Sequence, residues 1–121
     1  MTQTALALKG YSGAAGVARS PRRAEADVFR KVAQALAAAE SSGDRAARTR
    51  ALHDNTRLWN TAAILLADDA NALPAALRAQ LLGLAAFVER HTGAVLRGVA
   101  DASALVEINH RIHAGLSGGE A

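Results

Sequence analysis

Between Leu77 and Val95 the chain repeats a seam of inward positions, Leu77, Leu81, Leu84, Val88, His91 and Val95, at spacings of 4, 3, 4, 3 and 4. That rhythm brings side chains to one face of an α-helix. Pro74 stands near its first helical position, where a missing N–H is no loss. A second helix is predicted from Asp44, a side-chain cap for the first free N–H groups, to about Ala67, where "DDANA" breaks it. At 100° per residue, Ala51, Leu52, Asn55, Leu58, Trp59, Ala62, Ala63, Leu65 and Leu66 fall in an arc of roughly 160°, with His53, Arg57 and Asn60 opposite. Trp59 therefore faces inward, and the amide of Asn55 goes with it.

Two more helices complete the pattern. "SPRRAEADVFRKVAQALAAAE" offers Ser20 as N-cap and Pro21 at the first helical position, runs to about Glu40, and is expected to bury Val28, Val32, Ala35, Leu36 and Ala39. After Gly98, Asp101 or Ser103 caps a last helix whose stripe is Leu105, Ile108, Ile112 and Leu116. Four helices with short connectors predict an all-α fold, a compact antiparallel bundle. Residues 20–117 form this helical domain. Residues 1–19 hold Gly10, Gly13 and Gly16 and read as a flexible leader, with Leu6, Leu8, Tyr11 and Val17 available to dock, while 118–121 read as a frayed tail.

Composition narrows the function. At 121 residues the chain has the length of one domain. Hydrophobic residues make up 50% of it but aromatic ones only 3%, and the excess of Ala and Leu over β-branched types favours helix. There is no cysteine, hence no disulfide framework, thiolate metal site or Cys nucleophile. No apolar run approaches the ~18 residues of a membrane span, and the first twenty residues lack the basic start of a secretion signal. A cytoplasmic protein without a membrane partner is expected.

The net charge of +3 divides into +5 over residues 1–50 and −2 over residues 51–121. The N-terminal excess, which includes Arg19, Arg22, Arg23, Arg30 and Lys31, suits RNA or an acidic protein, yet no aromatic stacking platform accompanies it. His110 and His113 have a metal-compatible spacing but no further ligands converge on them in sequence, and His91 reads as a histidine held in the core. No nucleophile elbow, phosphate loop or HExxH is present. Neither a catalytic residue nor a metal, cofactor or small-molecule substrate is expected.

Four phrases in order, "SPRRAE" (20–25), "NTRLWN" (55–60), "NALPAALRAQLLGLAAFVERHT" (71–92) and "LVEINHRIHAGL" (105–116), make the chain from about Tyr11 to Leu116 resemble the flagellar biosynthesis regulator FlaF of alphaproteobacteria. The resemblance implies a small cytoplasmic helical protein without enzymatic activity, which binds flagellin as a secretion chaperone and acts with FlbT, a regulator of flagellin synthesis from its messenger RNA. The family's recurrent positions fall on Tyr11, Pro21, Arg22, Glu25, Asn55, Trp59, Asn71, Leu73, Pro74, Arg78, Leu105 and Asn109; Arg23 and His110 carry nothing over. Of these, Tyr11, Arg22, Glu25, Asn55, Arg78 and Asn109 are assigned to partner binding, and Pro21, Trp59, Asn71, Leu73, Pro74 and Leu105 to structure. From the residues themselves Asn55 reads first as a buried amide bonded to a neighbouring helix or loop carbonyl, the alternative being that Asn55 and Trp59 line a groove for a partner helix. Flagellin subunits polymerise through amphipathic terminal helices, which a chaperone covers by helix-in-groove contact. Leu82 and Leu96, with Ala85, lie roughly 80–140° from the centre of the helix-three seam, an apolar face beyond what one neighbour requires, and Leu82 and Leu96 join the partner-binding set. The rival is a regulator acting directly on flagellin messenger RNA through the basic N-terminal half.

Overall fold

The computed structural model describes residues 21–118. The leader (1–19), the Ser20 cap and the last three residues of the tail lie outside the described residues. Within them the chain forms four helices: α1 (Pro21–Ser42), α2 (Arg45–Ala67), α3 (Ala75–Leu96) and α4 (Ser103–Gly118). None is long and apolar enough to cross a membrane.

The boundaries follow local chemistry. Asp44 accepts from the N–H groups of Ala46 and Ala47 at 3.0 and 3.2 Å and so starts α2 where expected. Pro74 occupies the N-cap of α3, one residue before the helix. At the other end of α3 the Gly98 N–H donates to the Val95 carbonyl and the Val99 N–H to the Ala94 carbonyl. This reversal needs a positive φ, which Gly98 supplies at 79°. The turn between α1 and α2 uses Gly43 at φ 72° in the same way. Ahead of α4 the Asp101 carboxylate accepts from both the N–H and the hydroxyl of Ser103. At its C-terminus α4 takes in Gly118, the first residue of the expected tail.

The helices pack antiparallel. The broadest contact joins α1 to α4, followed by α2 with α3 and α1 with α2, while α3 and α4 barely meet. Ala26 and Ala33, both fully buried on α1, let α4 approach closely, and the His113 ring on α4 donates from Nδ1 to the Ala26 carbonyl at 3.0 Å. The α2–α3 hairpin is pinned at both ends by arginines. Arg78 Nε donates to the Leu66 carbonyl at 3.0 Å, and Arg48 donates from Nη2 to the Val95 carbonyl at 3.2 Å and from Nε to the Glu40 carboxylate at 2.8 Å.

The inward arc of α2 is as the sequence predicts: Ala51, Leu52, Asn55, Leu58, Trp59, Ala62 and Leu66 are buried, Ala63 and Leu65 half-buried, and His53, Arg57 and Asn60 exposed. On α1 the phase differs. The buried face runs through Ala26, Phe29, Ala33, Leu36 and Ala39, whereas Val28 and Val32 are half-buried and Ala35 is exposed. Phe29, the largest apolar side chain of α1, turns to the centre and swings the valine flank outward. The α3 seam is buried only towards its end, at Val88, Thr92 and Val95. Leu81, Leu84 and His91 are half-buried, and Leu77 is 39% exposed. Here α3 receives little cover from α4.

Candidate functional site

Two places in this bundle hold the residues singled out in the sequence. The first is a chain of buried polar groups. Trp59 Nε1–H donates to Asn109 Oδ1 at 2.9 Å, and Asn109 Nδ2–H donates to Asn55 Oδ1 at 2.7 Å, linking α2 to α4 across 50 and 54 residues of sequence. Asn55 Nδ2 is buried without a hydrogen-bond partner. Phe29 of α1 meets the indole edge-on, with ring centroids 5.7 Å apart and planes at 69°. Three helices thus converge on Trp59, and Leu105, one turn before Asn109, completes the packing. Glu25, Asn55 and Asn109 have no exposed surface. These three positions, assigned above to partner binding, lie inside the bundle and offer a partner nothing to touch. Low dielectric strengthens the hydrogen bonds among Trp59, Asn109 and Asn55, which fix how α2 and α4 adjoin.

The second place is the α2–α3 turn. Asn71 is buried, donates from Nδ2 to the Leu65 carbonyl at 3.0 Å and accepts the Leu73 N–H at 3.0 Å. Together with Arg78 on the Leu66 carbonyl, it supplies side-chain donors to the end of α2, where the Leu65 carbonyl also accepts the Asp68 N–H. Arg78, assigned to partner binding, is therefore half-buried and engaged with the chain's own backbone. Its role as a C-terminal cap, like that of Arg48, was not visible in the sequence, because the accepting carbonyls come close only after folding.

Leu82 and Leu96 differ from each other. Both lie on the flank of α3 that carries Arg78 and turns towards α2. Leu82 is half-buried against the core, so it is not the exposed apolar position that the helical wheel suggested. Leu96 is 60% exposed, and Val99 beyond it 73%. The two leucines stand about 21 Å apart along the axis. Tyr11 lies outside the described residues, and Arg22 is described for its backbone alone.

The described basic residues of α1 make separate contacts. Arg30 pairs with Asp27 at 3.6 Å and donates to Gln34 Oε1 at 3.3 Å, while Arg23 and Lys31 are exposed. Among the described residues Phe29 and Trp59 are buried and Phe87 stacks on His91, leaving no ring free for a base. The histidines are accounted for separately. His91 donates from Nε2 to the Asp101 carbonyl at 2.9 Å and His113 bonds Ala26, whereas His110 and His53 are exposed; no group of three metal-ligating side chains occurs among the described residues.

Asp101 has a clear acid–base consequence. Its bonds from the Ser103 hydroxyl and N–H, aided by the nearby His91 ring, hold its carboxyl below the usual carboxylate range. A carboxylate whose folded pKa is depressed contributes stability above its unfolded value, near 4, and loses it as pH falls through the lower folded value. Asp101→Asn is therefore expected to lower the melting temperature at neutral pH, where the carboxylate's contribution is fully present, and to converge with wild type as pH falls below about 4, which flattens the acid limb.

The family model of the flagellar protein FlaF matches the chain over residues 7–116. No curated protein and no solved structure matches it.

Proposed function

Because the chain belongs to the FlaF family of flagellar proteins, we propose that it is a non-enzymatic cytoplasmic chaperone that binds flagellin and, with FlbT, promotes flagellin synthesis and export. The observation that carries this reading is α3. It is rich in leucine yet buries only Val88, Thr92 and Val95. A bundle that needed α3 only for its own core would cover it better. An apolar helix surface held ready on a folded scaffold is what an amphipathic flagellin helix would require of a partner that shields it until export. Leu96 and Val99 form the most exposed part of that surface.

Titration calorimetry of the purified protein with purified flagellin, at low and high salt, tests the proposal. A complex that changes little with salt is expected, since the contact is apolar. Leu96→Glu should keep the fold, with a stability change within about 0.5 kcal/mol, and weaken the complex severely by desolvating a carboxylate. Arg22→Glu should matter less. Leu82→Glu should destabilise the bundle itself, because that side chain already touches the core. Absence of heat and of complex at both salt concentrations would sink the reading. Binding to flagellin messenger RNA with a log–log salt slope near −0.7 per neutralised phosphate would favour the RNA-binding regulator.

A further inference from the structure

Where α1 and α2 run side by side they leave a cleft of about 270 Å³, lined by Val28, Lys31 and Val32 of α1 and by Asp54, Arg57 and Leu58 of α2. Buried Leu58 and half-buried Val28 and Val32 form its apolar floor, and exposed Lys31, Asp54 and Arg57 stand at its rim. The volume falls below the roughly 300–1,000 Å³ of small-molecule pockets. It suits a few apolar side chains presented by another chain.

The rim is cationic and uncompensated. Elsewhere Arg30 pairs with Asp27, Arg48 with Glu40 and Arg111 with Glu107. Lys31, Arg50, Asp54 and Arg57 make no side-chain hydrogen bond or ion pair among the described residues, although Asp54 stands one helical turn from both arginines. Arg50 prolongs the rim, because at 100° per residue it stands about 20° from Arg57 around α2 and about 10 Å before it, with exposed His53 between them. Three positive charges thus surround an apolar floor and a single acid.

We propose that this cleft is a docking site for an acidic amphipathic helix of a partner protein, whose apolar side chains enter the floor while its carboxylates meet Lys31, Arg50 and Arg57. The sign of the rim selects the occupant. A nucleic-acid strand would leave the apolar floor unfilled and bring phosphates against Asp54, and no ring lines the cleft to stack a base. A second copy of the chain is itself basic, with a net charge of +3. Arg57 stands about 180° around α2 from Arg48, the residue that reaches α3. The cleft is therefore on the flank of α2 opposite α3, and its occupancy is independent of flagellin binding on α3.

Fluorescence anisotropy of the full-length protein with a labelled helical peptide of about 18 residues, leucine on one face and glutamate on the other, tests the site; at 1.5 Å per residue the peptide spans the rim. Its comparators are the same peptide with lysine for glutamate, the same peptide with serine for leucine, and single-stranded oligouridine. The expected result is that the leucine–glutamate peptide binds about tenfold tighter than each comparator. Lys31→Glu/Arg57→Glu should lose that preference with the helical circular-dichroism signal unchanged, since both side chains are exposed. Asp54→Asn should bind the peptide more tightly, and Arg90→Glu, exposed on α3, should bind it as wild type does. Equal binding of the lysine or the serine peptide would overturn the proposal, as would an affinity that the double variant leaves unchanged. Tighter binding of oligouridine, lost in the same double variant, would assign the rim to nucleic acid and overturn it as well.

Discussion

Trp59→Ala is expected to abolish cooperative folding at physiological temperature. The indole is 3% exposed, packs edge-on against Phe29, and hydrogen-bonds Asn109. Truncating a buried tryptophan to alanine costs about 3–5 kcal/mol through lost transfer energy and the cavity left behind. The same change strips the buried Asn109 Oδ1 of its donor. A domain whose whole stability is about 5–15 kcal/mol has little left after such a loss. Trp59→Phe separates the two contributions: most of the ring surface survives and the N–H does not, so its melting temperature should fall between wild type and Trp59→Ala. Circular-dichroism melts of the three proteins decide the matter. A Trp59→Ala protein that kept its melting temperature while losing partner binding would make the indole a binding anchor and refute its place in the core.

This tryptophan also marks the limit of what the chain discloses before folding. Its inward direction follows from counting 100° per residue along α2, because polar and apolar residues alternate sharply there and leave one admissible phase. On α1 the stretch from Ala33 to Ala39 is apolar on nearly every side, so periodicity supplies no phase. The orientation of that helix is decided instead by Phe29 finding Trp59, a tertiary event. Caps behave in the same two ways. Asp44 acts on residues two and three positions ahead and is legible, whereas Arg48 acts on a carbonyl 47 residues away and is not. Helix existence and ends are local matters. Which buried amide meets which is not, and nothing local to Glu25, Asn55 or Asn109 distinguishes an enclosed polar side chain from one that faces a partner.

The enclosed amides make unequal contributions, and this yields the second large expected effect. Asn109 is the middle member of the chain: it accepts from Trp59 and donates to Asn55. Asn109→Leu orphans a buried N–H on the indole and a buried carbonyl oxygen on Asn55. Each orphaned group costs about 1–3 kcal/mol, so a loss of about 2–6 kcal/mol is expected. Asn55 is the terminal member, with an Nδ2 that already lacks a partner. Asn55→Leu orphans only the Asn109 Nδ2–H and at the same time removes that unpartnered amide, so the two terms offset and the loss should be well under half that of Asn109→Leu. The bulk added is the same in both substitutions, and the burial of both sites is complete; the difference between them therefore reads polar satisfaction. Urea unfolding of the two single variants measures it, provided the transition slopes agree. Equal losses would mean that overpacking dominates and that the hydrogen-bond chain contributes little. A larger loss for Asn55→Leu would mean that its amide has an acceptor in solution, and that the polar chain continues beyond Asn55.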